Sequence, residues 1–293
     1  MALNQTIIEL PRNGIVEKAY LGAVIALDKN GNKILDFSYN SAQNIIFRSM
    51  QKPFQAYSFL RSGAFEKFNL SEKHLAVISG SHSGTLEQAK LVKEILHKAG
   101  FAVKNLKCPK TYPLDTQTRI YLIKNNKRKS QIYDNCSGKH AGMLCACKAY
   151  GFDAKKYASL THPMPRKIIA QTLKLCEFKN EITATDGCGV PVLAMPLEYM
   201  AKGLQNLYKT SEGVKIIHAA VKYPMLYGGK NRFDSDIIKL TNGKVFAKVG
   251  AAGLVGALNL QTGEALVVKI FADDHPARAQ VTLDYMKKLK WIN

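Results

Sequence analysis

Nowhere does this chain carry a run of apolar residues long enough to cross a bilayer, and the opening Met1-Ala2-Leu3-Asn4-Gln5 has neither the basic nor the apolar part of a secretion signal. Both absences predict a cytoplasmic protein with no membrane partner. No Gly/Ser linker, low-complexity block or internal repeat divides the sequence. No Cys-x-x-Cys pair occurs either, so the six cysteines, at 108, 136, 145, 147, 176 and 188, read as thiols or metal ligands in a chain too long to need disulfide staples. Acidic residues are scarce, 22 against 42 lysines and arginines, and the resulting charge of +20 could hold nucleic acid non-specifically. The lysines are spread from Lys18 to Lys290, however, and their densest run, Lys124-Asn125-Asn126-Lys127-Arg128-Lys129, reads as a short loop. With no zinc-finger spacing, RNA-recognition aromatics or helix-turn-helix pattern beside it, a solvated basic face is expected rather than a specific nucleic-acid partner.

What is present is enough to fold. Hydrophobic residues make up 46% and charged residues 22%, ordinary values that exclude wholesale disorder. Tyr20 to Asp28 and Ile34 to Tyr39 form two β-rich runs around Asn30-Gly31, a strong hairpin signal. A helix opens at Ser49 and runs to Gly63. Leu75 to Ile78 leads into the small polar loop Ser79-Gly80-Ser81-His82-Ser83-Gly84, and Thr85 caps a helix with Leu86, Ala89, Val92, Ile95 and Leu96 on one face. The middle of the chain reads as helical: Gly138 to Tyr150, Pro165 to Glu177, a stretch after Pro191, and Gly213 to Tyr223. Three strands follow, Val245 to Val249, Gly253 to Leu260 and Ala265 to Phe271, and Pro276 starts a closing helix. Strands at both ends with helices between them predict an α+β fold, a mostly antiparallel sheet flanked by helices. We expect a single catalytic domain over 1–293, with a sheet lobe (1–48 plus 240–293) and a mainly helical lobe (49–239).

Three clusters could carry chemistry. In Arg48-Ser49-Met50-Gln51-Lys52-Pro53, one helical turn brings the serine hydroxyl within reach of the lysine amine. A serine attacks an amide only if a base takes its proton, and lysine serves as that base only when neutral, a form that burial and neighbouring positive charge both favour. The same pattern also arises from an N-cap serine followed by a solvated lysine, and Pro53 suits the first helical turn under either reading. Arg48 could supply the positive charge or grip a carboxylate with its guanidinium fork. The second cluster, Asp134-Asn135-Cys136-Ser137-Gly138-Lys139-His140, crowds a thiol, an amine and an imidazole at a helix start. The third, Asp186-Gly187-Cys188-Gly189-Val190-Pro191, sets a thiol between glycines. Cys136 and Cys188 could share a zinc ion or be buried free thiols, whereas Cys108, Cys145, Cys147 and Cys176 read as core and loop residues. His140 and His82 could each be ligand, base or buried structural residue.

Together with the Ser79–Gly84 loop, these motifs resemble one family, the zinc-containing bacterial type II L-asparaginases of Rhizobium type, whose fold is similar to that of serine β-lactamases and glutaminases. The resemblance implies hydrolysis of L-asparagine to L-aspartate and ammonia through two Ser-Lys pairs in a homodimeric protein. Ser49 with Lys52 matches the first pair. Ser81 matches the second serine, and Lys269, in a late strand, is the best match to its lysine. The family's zinc ligands carry over to Cys136, Lys139 and Cys188, and its substrate contacts to Arg48, His140 and Asp186. Three positions depart from the pattern: Ala252 where glutamate is common, Glu17-Lys18-Ala19-Tyr20 in place of a serine and a histidine, and Tyr223-Pro224 in place of His-Pro. A serine amidohydrolase acting on glutamine or a β-lactam-like amide would share the same apparatus. A basic zinc protein binding nucleic acid would leave the serines incidental.

Overall fold

The computed structural model describes residues 6–37 and 42–293. Strand β1 (Thr6–Arg12) turns at Asn13-Gly14, both in the left-handed region, into the long β2 (Ile15–Leu27). β3 (Lys33–Phe37) pairs with the second half of β2, as the Asn-Gly signal predicts; the expected end of that strand, through Tyr39, and the opening Met1–Gln5 lie outside the described residues. β7 (Val245–Val249), β8 (Leu254–Asn259) and β9 (Ala265–Ile270) are the last strands, followed by the helix His275–Lys288. The terminal strands meet in one antiparallel sheet, ordered β1-β2-β9-β8-β7 with β3 beside β2, so the expected α+β architecture is observed.

This sheet is covered on both faces, which is why its inner strands are apolar almost throughout. Ile25, Leu27, Phe246, Leu258 and Val267 face the helical body, whereas their neighbours Val24, Ala26, Val245, Ala247 and Val268 face Ala277, Val281, Tyr285 and Met286 of the closing helix His275–Lys288. The alternation has the period of two that a strand imposes. Among the described residues, no helix is long and apolar enough to cross a membrane.

A second sheet, not anticipated, sits among the helices: β4 (Ile45–Ile46), β6 (Pro191–Met195) and β5 (Thr183–Thr185), in the order β4-β6-β5. The expected helix after Pro191 is thus corrected to a strand, and a helix begins only at Leu197, beyond Pro196. All five residues of β6 are buried, and so short an apolar run has no periodicity to separate strand from helix. Small as it is, this sheet delivers two of the three chemical clusters to one place. Phe47 N–H bonds to Leu193 C=O at 2.9 Å just before the Ser49 turn, and the β5–β6 hairpin carries Asp186-Gly187-Cys188 at its tip.

Candidate active site

Ser49 lies on a tight 3₁₀ turn, Arg48–Gln51, that leads directly into the helix Lys52–Leu60. Its predecessor Arg48 has φ +50°, a left-handed conformation costly for a residue with a side chain. What holds it there is packing and hydrogen bonding around it. Fully buried Met50 fills the space over Gly256 of β8, where a Cβ would come within 2.6 Å of its Cε, and the Gln51 side chain accepts a bond from Leu193 N–H at 2.8 Å. Gly250, at the end of β7, packs against Phe47 C=O, so the sheet edge abuts the serine turn.

Lys52 is 1% exposed. Its amine donates to Ser81 Oγ at 2.9 Å and to the Asn135 carbonyl at 2.7 Å. Among the described residues the Ser49 hydroxyl has no hydrogen-bond partner, and the contact anticipated within the first pair is made instead between Lys52 and the other serine. Ser81 follows the helix Glu72–Ser79, and glycines permit the approach. A Cβ on Gly80 would lie 1.9 Å from Tyr227 C=O, and one on Gly138, in the helix Ser137–Tyr150, 2.2 Å from Val77 C=O. Both serines open on one cavity of about 510 Å³, lined also by Asn135, Arg232, Phe233, Asp234, Val249, Gly250, Ala251 and Arg278.

The structure places Lys269 elsewhere. Its amine bonds to Ala252 C=O and lies 5.2 Å from the Phe271 ring centroid, away from Ser81. The second lysine turned toward the site is Lys248 of β7, fully buried, 2.9 Å from Asp234 Oδ2 and 2.9 Å from Val249 C=O. Burial drives its pKa down to about 8 despite Asp234, with Lys52 adding to the fall. A signal for it existed: Lys248-Val249-Gly250 has the Lys-x-Gly form that accompanies Ser-x-x-Lys in penicillin-recognising enzymes. Nothing in the sequence marked Asp234 as its partner.

Beside the serines lies a buried cluster. Cys136 Sγ, Cys188 Sγ and a carboxylate oxygen of Asp186 all fall within 4.8 Å of one another, and Lys139 Nζ lies 2.8 Å from Cys188 Sγ. The neighbouring Cys188 thiol, with Lys52 and Lys139 nearby, holds Cys136 well below the ordinary thiol range in spite of burial, while the proximity of Cys136 and burial push Cys188 up. Burial would lower Lys139, but the thiolate of Cys136 keeps it a cation. Two thiols, a carboxylate and an amine form a donor set that suits a thiophilic divalent ion such as zinc, so the cluster could hold a metal. Asp186, expected only as a substrate contact, belongs to this group. It also takes Arg48, whose Nε is 2.8 Å from Oδ1.

The histidines divide. His140 donates or accepts at Nδ1 with Tyr157 Oη at 2.7 Å, leaves a buried Nε2 without a partner, and is held neutral first by burial and then by Lys139 and Lys52. His82 is structural: Nε2 bonds to Ser137 Oγ at 2.9 Å, Nδ1 accepts from Gly84 N–H at 3.2 Å, and burial pushes its pKa down to about 3. An unfolded chain takes up a proton on this imidazole near 6.5 that the folded one refuses, so His82 makes stability fall as pH drops from about 6.5 toward 3. His82→Gln is therefore expected to flatten the fall in unfolding free energy between pH 6 and pH 4 by about 1.4 kcal/mol per unit. Urea titrations at these pH values measure it, and equal slopes in both proteins would show that the native imidazole titrates normally.

No curated protein sequence matches the chain significantly. Among solved structures, a beta-lactamase from Mycobacterium bovis is similar with a TM-score of 0.52 at 11% identity, covering 91% of this chain and 94% of its own. A candidate beta-lactamase from Bacteroides dorei gives 0.48 at 12% identity over 90% of this chain and 92% of that one. The unliganded simvastatin synthase of Aspergillus terreus gives 0.37 at 11% identity, with 89% and 91% covered. The first of these identifies a fold of beta-lactamase type. The sequence model of L-asparaginase II matches residues 8–293, nearly the whole chain, and the protein belongs to the L-asparaginase II family of hydrolases.

Proposed function

We propose that this hydrolase cleaves the side-chain amide of L-asparagine to give L-aspartate and ammonia through an acyl-enzyme on Ser49. The observation that carries this reading is the buried Lys52 amine, one turn beyond Ser49 and 2.9 Å from Ser81, with both hydroxyls opening on the same cavity. In its neutral form Lys52 takes the proton as Ser49 Oγ attacks the amide carbon. The backbone N–H groups of Ser49 and Ala251, residues that line the cavity, would receive the oxyanion, a contribution of about 3 kcal/mol per well-aimed donor, whereas Gly250 N–H is already bonded to Leu254 C=O. Ser81 passes the proton from Lys52 to the leaving ammonia. Water then enters, Lys52 again takes a proton, and the ester on Ser49 is hydrolysed. Lys248, paired with Asp234, keeps a cation near the relay.

Cys136, Cys188, Lys139 and Asp186 would hold a zinc ion, which supplies Lewis acidity and a fixed positive charge beside the cleft. The chain's own residues there do other work: Asp186 fixes Arg48, and Lys139 and Lys52 flank the His140 imidazole. An ammonia-release assay on asparagine and glutamine tests the proposal. Faster turnover of asparagine is expected; faster turnover of glutamine would reassign the substrate, and release from neither would defeat the reading.

A further inference from the structure

The cavity holding both serines has a far wall that no step of the reaction uses. Arg278, on the closing helix His275–Lys288, is 6% exposed. Its guanidinium carbon stands 5.7 Å from the Phe233 ring centroid, and Nε is buried with no hydrogen-bond partner. Among the described residues, no carboxylate forms an ion pair with it. None of the nearby acids reaches ion-pair distance of it: Asp234 holds Lys248 through Oδ2 while its buried Oδ1 has no hydrogen-bond partner, Asp274 bonds to Tyr20 Oη at 2.6 Å, and Asp273 lies 3.8 Å from His275 Nε2. Arg232 lines the same wall, likewise without an ion pair.

A buried guanidinium without an ion-pair partner is expensive, because it has lost water and the nearby carboxylates of Asp234 and Asp273 act on it only at a distance. Burial accordingly lowers the pKa of Arg278, a sign of that unpaid cost. Such a group is stable in a fold when a ligand completes it, and its planar fork matches a carboxylate. Arg48, the residue first expected in this role, is already tied to Asp186 and does not line the cavity.

We propose that Arg278, seconded by Arg232, receives the α-carboxylate of the substrate and so restricts the enzyme to amides that carry a carboxylate. Exposed Asp236, on the same wall, offers a complementary charge to the substrate's ammonium group. The inference rests on reading the cleft as the amidase site, and the two can fail separately.

The test compares wild type, Arg278→Gln and Arg278→Lys on asparagine and on β-alaninamide, which is asparagine without its α-carboxylate. Arg278→Gln is expected to raise KM for asparagine about 100-fold with a smaller change in kcat, and Arg278→Lys about 10-fold, while the low rate on β-alaninamide stays within twofold in all three. Unchanged KM for asparagine, or equal losses on both amides, would overturn the proposal. Calorimetric titration with L-aspartate is independent of turnover: binding by wild type that Arg278→Gln loses supports the carboxylate site even if no amide is cleaved, and binding by neither or equally by both rejects it. If Arg278→Gln does not fold, the same comparisons are read from Arg278→Lys.

Discussion

Ser49→Ala is expected to lower kcat for asparagine by roughly 10⁴-fold or more, with unfolding behaviour like that of wild type, because the proposed acyl-enzyme cannot form without its oxygen. The side chain is partly exposed in the cavity and makes no hydrogen bond among the described residues, so its removal leaves none of them unsatisfied. Ser81→Ala is expected to cost less, about 10²- to 10³-fold, because it removes a proton relay while the nucleophile remains. Lys52→Met should match Ser49→Ala in rate, since groups that act as one unit are not additive. That variant will also be less stable, as the Asn135 carbonyl loses its 2.7 Å donor. Steady-state kinetics decide the rates, and mass spectrometry of the acid-quenched enzyme locates the acyl group. The opposite ranking of the two serines, with the adduct on Ser81, would make Ser81 the nucleophile, which its existing bond to Lys52 would then explain.

How far the sequence could lead is clearest in the lysines. Lys52 was legible because its motif is local, a serine one turn earlier and a proline that suits a helix start, although the partners its amine takes, Ser81 and Asn135, are distant in sequence. Periodicity did not separate Lys248 from Lys269, since each interrupts an apolar strand at the same phase of its alternation, and only the Lys-x-Gly form of Lys248-Val249-Gly250 distinguishes them in the sequence. Strand order decides between them. β7 lies at the sheet edge that abuts the Ser49 turn, and β9 lies two strands inward, so only one lysine is near the serines. Order across a sheet is a long-range property that alternation within each strand does not encode. The main antiparallel sheet was legible because turn signals bound short β-rich apolar runs at both ends of the chain. The small β4-β6-β5 sheet was not, because its strands have two, three and five residues, too few to show a period. Arg278 gave no signal at all: one arginine on an amphipathic helix looks like surface until the fold closes over it.

The largest non-kinetic effect is expected at the thiols. The directions in which the groups are pushed, Cys136 down, Cys188 up and Lys139 up, favour one thiolate and Asp186 against Lys139 and Arg48 in the metal-free cluster, a neutral set. A divalent ion bound by two thiolates, the carboxylate and a neutral amine, beside Arg48, gives the same total. Metal uptake would therefore exchange one divalent ion for about two protons, those of Cys188 and Lys139, as ligand deprotonation requires. Zinc titration followed by calorimetry in buffers of different ionisation enthalpy should show this release directly, with affinity rising about 100-fold per pH unit. Cys188→Ser is expected to lower retained zinc in elemental analysis by at least about tenfold, because a hydroxyl is a far poorer ligand than a thiolate. It should also abolish the rise in Tm that added zinc produces in wild type through mass action. If wild type is isolated without metal, and zinc neither releases protons nor raises Tm, the group is a hydrogen-bonded thiolate–ammonium network. Its work would then be to fix the β5–β6 hairpin tip, and with it Asp186 and Arg48, against the start of the Ser137–Tyr150 helix.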